Sequence, residues 1–376
     1  MNIYFDNAST TVVCEEATTA VLRVMRDVYG NPSSQHYMGR AAKKELTNAR
    51  CSIADAIGAQ ISEVYFTSGG TESVNWAVLG AVPTHFRYGK HIITSVIEHS
   101  AILESMKQKE QMGWEVTYLK PDLNGRILIE DFANELREDT VFATIMLVNN
   151  ETGAINPVSE FSNEIRKRGL KTILHTDAVQ ALGKIPFTVK SLGVDLLSVS
   201  AHKLHGPKGI GALYIKNGTG INPLLFGGSQ EDKKRPGTEA LPGIAGFGAA
   251  VEVAMQKQSE TFTSLKELRN HMISKLKACI PGIVIIGTGD SPYLLSISLP
   301  GYKSEVLMNF LDSEGICVTS GSACRKGLRS RVLEAMNLHS DVIDGAIRVS
   351  FSRYNTTEEA DYFISKLEKA TEALLK

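Results

Sequence analysis

Leu196-Leu197-Ser198-Val199-Ser200-Ala201-His202-Lys203 is the stretch whose reading decides the fold. Leu196–Ser200 is a short strand-type run, and a histidine and a lysine follow directly at its end. The glycine-rich segment Gly206-Pro207-Lys208-Gly209-Ile210-Gly211 then turns into another run, Ala212–Ile215. The same texture extends upstream through Val64–Thr67, His91–Ser95, Val116–Leu119, Val141–Val148 and Lys171–His175. Helix-period stretches separate several of these runs. In one of them Ala42, Leu46, Ala49, Ile53 and Ile57 fall on one face, and Gly58 stands where a left-handed cap belongs. Asn163–Arg168 reads as the tail of another helix, closed by Gly169. Strands alternating with helices predict right-handed crossovers and a mostly parallel sheet. Ligands in such sheets bind beyond the carboxyl ends of the strands, so the residues just after each strand are the candidates for chemistry.

In chain order these residues are Ser68-Gly69-Gly70-Thr71-Glu72-Ser73, Glu98-His99-Ser100, Asn149-Asn150-Glu151-Thr152-Gly153, Asp177 with Gln180, and Ala201-His202-Lys203. Taken singly, each has an ordinary explanation: a tight strand–helix turn, a packing histidine, a helix-capping aspartate, a solvated lysine. The first run is neither a P-loop, because Gly-Lys-Ser/Thr is missing, nor a Gly-x-Gly-x-x-Gly turn. Together they describe pyridoxal phosphate (PLP) chemistry, which needs a lysine for covalent attachment, an acid near the pyridine nitrogen, a phosphate cradle and a group against the ring. Lys203 suits the attachment and proton transfer, and Asp177 the pyridine nitrogen. Gly70, Thr71, Ser200 and His202 suit the phosphate, His99 the ring face, and Gln180 the ring oxygen.

Composition narrows the class. With 376 residues the chain suits one large domain plus a smaller one. Hydrophobic residues at 43% and charged residues at 22% are ordinary for a globular protein, and a net charge of −1 points to neither nucleic acid nor an anionic membrane. Cys14, Cys51, Cys279, Cys317 and Cys324 are odd in number and scattered, so neither a disulfide framework nor a structural metal site is expected. The N-terminal stretch lacks the charged and apolar regions of a secretory leader, and the apolar runs are strand-sized. A cytoplasmic location without membrane contact is the expectation.

Beyond about residue 250 the texture changes. Val251–Ile280 reads as one long helical region, ended by Pro281-Gly282. Shorter strands at Ile283–Ile286, Leu294–Leu299, Ile316–Thr319 and Ile347–Phe351 follow, with helices at Glu305–Ser313 and Thr357–Leu375. This part predicts a second, α/β unit.

The strand-end motifs, with Tyr4-Phe5-Asp6-Asn7-Ala8-Ser9-Thr10-Thr11, Gly30-Asn31-Pro32-Ser33-Ser34, His175-Thr176-Asp177-Ala178-Val179-Gln180, Arg235-Pro236-Gly237-Thr238-Glu239 and Ser320-Gly321-Ser322-Ala323-Cys324, occur in order over nearly the whole chain. In them the sequence resembles the cysteine desulfurases of the class-V aminotransferase family, fold-type-I PLP enzymes. The resemblance implies a large PLP-binding domain over 14–258, its mostly parallel sheet wrapped by helices. It also implies a small α/β domain built from 1–13 and 259–376 that carries an active-site cysteine loop.

The resemblance further implies that Lys203 carries PLP, Asp177 pairs with the pyridine nitrogen and His99 stacks on the ring. By the same resemblance Asn150 and Gln180 contact cofactor or substrate, Thr238 reaches the phosphate of the neighbouring subunit of a homodimer, and Arg348, assisted by Asn31, holds the carboxylate of L-cysteine. Cys324 takes the sulfur as a persulfide, for delivery to an acceptor protein such as an iron–sulfur scaffold or a tRNA thiolation enzyme. A selenocysteine lyase or a class-V aminotransferase is the alternative. Two stretches depart from the family pattern: the link after Cys324, Arg325-Lys326-Gly327-Leu328-Arg329-Ser330-Arg331, is short and basic, and Ser229–Arg235 differs modestly. A basic link favours an acidic acceptor surface or a partner enzyme bound to tRNA, unless it is simply a solvated charged loop.

Overall fold

Residues 2–321 and 329–373 are described by the computed structural model. Its strands, in chain order, are β1 (Ile3–Tyr4), β2 (Val64–Thr67), β3 (His91–Ser95), β4 (Glu115–Leu119), β5 (Thr140–Thr144), β6 (Ile173–Asp177), β7 (Leu196–Ser200), β8 (Gly211–Ile215), β9 (Val284–Ile286), β10 (Leu294–Ser298), β11 (Ile316–Cys317) and β12 (Ala346–Ser350). Among the described residues, β2 to β8 form one sheet in the order β2-β8-β7-β6-β5-β3-β4. Pairing from β4 through β7 is parallel, and β8 runs antiparallel between β7 and β2. A ten-residue return is too short for a helical crossover, so β8 must reverse direction against β7.

The inner strands are buried along their whole length. Both faces of the sheet are covered, so these strands read as apolar runs without clean alternation. Period two survives in where each residue packs. Ile93, Leu197 and Ala212 join one core cluster, while their neighbours Ile92, Leu196 and Leu213 join another on the opposite face. The chain steps from β3 outward to β4, then returns past β3 to build β5, β6 and β7, and a crevice opens where the direction reverses.

The last third builds a three-stranded antiparallel sheet, β12-β10-β9. The first residues of the chain join it. β1 pairs with β11, Asp6 bridges to Ser350, and Phe5 sits edge-on to Phe351 and Phe363 at 5.5 and 5.9 Å. Among the described residues no helix is long and apolar enough to cross a membrane.

The helix over Tyr37–Ile57 buries the expected stripe and ends on Gly58 at φ 66°. The single helix expected over Val251–Ile280 is instead two, Leu241–Gln256 and Gln258–Cys279. Gly243, Gly246 and Gly248 look like helix breakers in sequence. In the structure two of them allow close approach: a Cβ on Gly246 would sit 2.7 Å from Val21 and Pro207, and one on Gly248 2.8 Å from Ala49. The strand expected over Val141–Val148 ends at Thr144, because Val148 leaves the sheet to bridge Ile155.

Glu231, Asp232 and Lys233 all take left-handed backbone conformations, with φ of 45°, 55° and 65°. For residues with a Cβ this is costly and persists only where contacts over-determine it. The buried Glu231 carboxylate receives Arg50 Nη1 and Nη2 at 2.7 and 2.5 Å and Phe66 N at 3.0 Å. Arg50→Met strands that carboxylate inside the protein. A loss of about 3–5 kcal/mol in denaturant-unfolding stability is expected.

Candidate active site

β7 ends in a single 3-10 turn, Ala201–Lys203, closed by Leu204 N donating to Ala201 O and tied back by Ala201 N donating to Ile210 O. This turn aims Lys203 back over the end of the sheet. Its Nζ donates to Ala8 O at 2.8 Å and Ser9 O at 2.6 Å. The N-terminal segment is pinned there because Thr11 N and Oγ1 both donate to His202 O at 3.0 Å. Cys14 N also donates to His205 O at 2.9 Å.

Asp177 is the last residue of β6, and its buried carboxylate accepts Val179 N at 2.9 Å. Burial raises its pKa, while His99 and Lys203 oppose the rise. His99 precedes the helix Ser100–Gln111, and its Nδ1 accepts Ala101 N at 3.2 Å. With Nδ1 as acceptor, the neutral ring carries its proton on Nε2. The ring is open to the cavity but short of water on its other sides. That desolvation lowers its pKa against the pull of Asp177 and favours the neutral form.

Gly70 begins the helix that follows β2. A Cβ there would stand 3.0 Å from Val179 Cγ2, and one on Gly211 would stand 2.8 Å from the Gly69 backbone. Only glycine leaves this space between strand ends clear. Arg235 grips the same helix, its Nε donating to Glu72 Oε1 at 2.9 Å, so the departing stretch Ser229–Arg235 is tied to the Gly70 turn.

A cavity of about 320 Å³ joins these groups. Gly70, Thr71, His99, Asn150, Asp177, Gln180, Ser200, His202, Lys203 and Arg348 all line it. Arg348 enters from β12 as a buried fork. Nη2 donates to Asp6 Oδ1 at 2.8 Å and Ser9 Oγ at 2.7 Å, Nη1 donates to Asn150 O at 2.9 Å, and Nε is buried with no partner among the described residues. Burial and the charge of Lys203 bring the His202 pKa down to about 4.

Two expected residues are not brought to this cavity. Asn31 is exposed and caps its own turn, accepting Ser33 N at 2.9 Å, and Thr238 is exposed. Cys324 lies outside the described residues. Its flanks do not. Gly321, Arg329 and Arg331 line the cavity. Arg329 is also paired with Asp344, Nε to Oδ1 at 2.6 Å, so part of the basic link is already neutralised.

Several functional neighbours carried no separate signal in sequence. Glu98 is fully buried, accepts Ser95 Oγ and Met146 N, and leaves Oε2 without a partner among the described residues. Burial, then repulsion from Asp177, push its pKa up to about 8. Glu151 is buried, with Ser330 Oγ donating to it at 2.5 Å and Gly321 packed against it. Arg331 donates to Val96 O and Glu98 O, in the segment that leads into His99. Lys184 is buried beneath the cavity, where burial brings its pKa down to about 7.

His175, in β6, is fully buried between Thr144 Oγ1 at 2.7 Å and Ser198 Oγ at 2.9 Å, and burial brings its pKa down to about 3. The unfolded chain therefore takes up this proton first as pH drops below about 6.5. Stabilisation that is full above that pH is lost as pH falls toward the folded value. For His175→Gln, the stability difference between about pH 7.5 and pH 5 is expected to shrink by a kcal/mol or more, read from denaturant midpoints.

Comparison with known proteins places this geometry. The chain is 42% identical to a cysteine desulfurase IscS of Dictyoglomus turgidum, covering 99% of this chain and 95% of that one. It is also 42% identical to a cysteine desulfurase IscS of Methanosarcina thermophila, covering 99% and 92%. A solved NifS-like protein superposes with a TM-score of 0.94 at 39% identity, over the whole of both chains. The family described as aminotransferase class-V matches residues 3–363, and the chain belongs to that family.

Proposed function

We propose that this chain is a cysteine desulfurase that holds PLP on Lys203, converts L-cysteine to alanine and passes the sulfur to Cys324. One observation carries the reading: an amine, a buried carboxylate and an imidazole from the ends of β7, β6 and β3 meet a buried guanidinium from β12 around one cavity.

The residues present fit PLP. The Gly70 turn leaves a clear space at a helix start beside Ser200 and His202, suited to a phosphate. Asp177 is a carboxylate whose burial is compensated by a cationic partner, and a protonated pyridine nitrogen supplies one. When bound, PLP supplies an electron sink that loosens the bonds at the substrate Cα.

The chain's own residues do the rest. Arg348 offers a planar guanidinium to a carboxylate, which shares or displaces the Asp6, Ser9 and Asn150 acceptors that Nη1 and Nη2 hold without it. Lys203, once displaced by substrate, takes the Cα proton. His99 keeps Nε2–H toward the cavity as a donor. The Cys324 thiolate attacks the substrate sulfur. The S–S bond forms as the C–S bond breaks, the electron pair stays with the substrate carbon, and that carbon takes a proton to give alanine.

The large PLP-binding unit spans 14–258, and 1–13 with 259–376 form the small unit. Thr238, exposed at the end of the segment anchored by Glu231, serves the phosphate of a second copy in a homodimer. The sulfur acceptor is a protein with an acidic face, of the iron–sulfur scaffold or tRNA-thiolation type.

Incubation with L-cysteine and PLP tests the reading. Alanine and persulfide sulfur are expected without any keto acid. Cysteine consumption that requires a keto acid, and yields mercaptopyruvate and the amino acid of that keto acid without persulfide, makes the chain an aminotransferase. Turnover confined to selenocysteine makes it a selenocysteine lyase.

A further inference from the structure

Lys184 stands four residues beyond Gln180, in the buried layer under the cavity. Its Nζ donates to Gln180 Oε1 at 2.8 Å, and Gln180 Nε2 donates to Ala8 O at 2.8 Å. Ala8 O is also the acceptor of Lys203 Nζ, so the Gln180 amide nitrogen lies beside the lysine amine.

A glutamine amide has two ends of nearly the same shape and opposite hydrogen-bonding character. Ala8 O, a pure acceptor, favours the nitrogen end. It already serves Lys203, however, and loses that partner whenever Lys203 moves. The other end is held by Lys184, whose Nζ donates to Gln180 Oε1 at 2.8 Å; in its charged form it only donates and so requires the oxygen there. Two independent contacts thus point Nε2 toward Lys203 and the cavity. One Nε2 hydrogen is used on Ala8 O. The second remains for a ligand in the cavity that Gln180 lines.

From this arrangement we infer that Lys184 is a positioning residue: it fixes the Gln180 amide so that Nε2 always donates to an anionic oxygen on the ring bound at Lys203. The inference rests on the PLP reading above. Lys184 also lies 5.6 Å over the Tyr293 ring, whose π-face favours a cation at this buried site. Lys203 and Arg348 are the other cations facing it, and both disfavour its charge.

The test uses Lys184→Met, which keeps the side-chain length and removes the donor. PLP affinity is measured by titrating the apoprotein, with the visible band of the bound cofactor as the second readout. Affinity is expected to fall about tenfold, the size of one charge-assisted hydrogen bond, and the band to shift. Lys184→Arg, which still only donates, is expected to restore both. In a Gln180→Leu background, Lys184→Met is expected to add little, because both substitutions remove the same contact.

Equal affinity and an unshifted band in Lys184→Met overturn the inference. So does full additivity with Gln180→Leu, which makes Lys184 a structural residue acting elsewhere. Borohydride trapping on the unaltered chain separates this failure from that of the parent reading. If no PLP is trapped on Lys203 there, the PLP reading itself fails. A Lys184→Met protein that does not fold is replaced by Lys184→Gln, whose amide oxygen removes the constraint while retaining a polar contact, with the same two readouts.

Discussion

Lys203→Ala is expected to abolish borohydride-stable incorporation of PLP and to lower kcat/KM for L-cysteine by about a thousandfold or more. The argument is local. The turn Ala201–Lys203 leaves β7 at its carboxyl end, and no other lysine both lines the cavity and faces Ala8 and Ser9 among the described residues. Lys184 does not substitute, because its Nζ lies below the cavity, committed to Gln180 Oε1. The fold is expected to survive. The two carbonyls that Lys203 serves belong to cavity-lining residues, where water replaces a lost donor at small cost. Far-UV circular dichroism and the unfolding midpoint therefore stay near those of the unaltered chain while labelling and turnover vanish together. Turnover retained without labelling removes Lys203 from the chemistry.

Lys203, Asp177 and His99 were legible in sequence for one reason. Each lies at or shortly beyond the carboxyl end of a strand whose extent is set by local residue preference, and a parallel sheet places all such ends on one edge. Gly70 was legible in the same way, as a small residue between a strand and a helix. What escaped depends on contacts distant in the chain. Arg348 and Asp6 are 342 positions apart, and nothing local to either predicts that the fork expected for a carboxylate already holds one inside the protein. A substrate carboxylate must therefore share Arg348 with Asp6 or displace it. Glu98 sits within a quoted motif, yet its protonation follows from complete burial beside Asp177, a property of the packed state. The helix Leu241–Gln256 was hidden because glycine is a helix breaker by propensity and a contact surface by packing. Neither Asn31 nor Thr238 reaches the cavity of its own chain; for Thr238 this fits the proposed role across a subunit boundary, and for Asn31 it leaves the expected help to Arg348 without a contact.

Cys324→Ala is expected to keep PLP binding intact and to cut persulfide formation and sulfide release from L-cysteine by about a hundredfold or more. Cys324 lies outside the described residues, so the case is made from its flanks. Gly321 lines the cavity, and three extended residues reach at most about 11 Å, so the thiol lies within chain reach of the substrate site. On the other flank Ser330 is bound to Glu151, and Arg331 to the carbonyls of Val96 and Glu98, just before His99. Both feet of the segment are thus fixed to the cavity wall. Nothing in the cavity itself accepts sulfur, because the cysteines among the described residues do not line it. Removing Cys324 therefore leaves Lys203, Asp177 and Arg348 able to bind and deprotonate L-cysteine, with no group to accept its sulfur. The expected signature is a normal cofactor spectrum that responds to L-cysteine but does not turn over. Full alanine production with free sulfide from this variant means that the sulfur leaves without a protein thiol, and the persulfide step is then wrong.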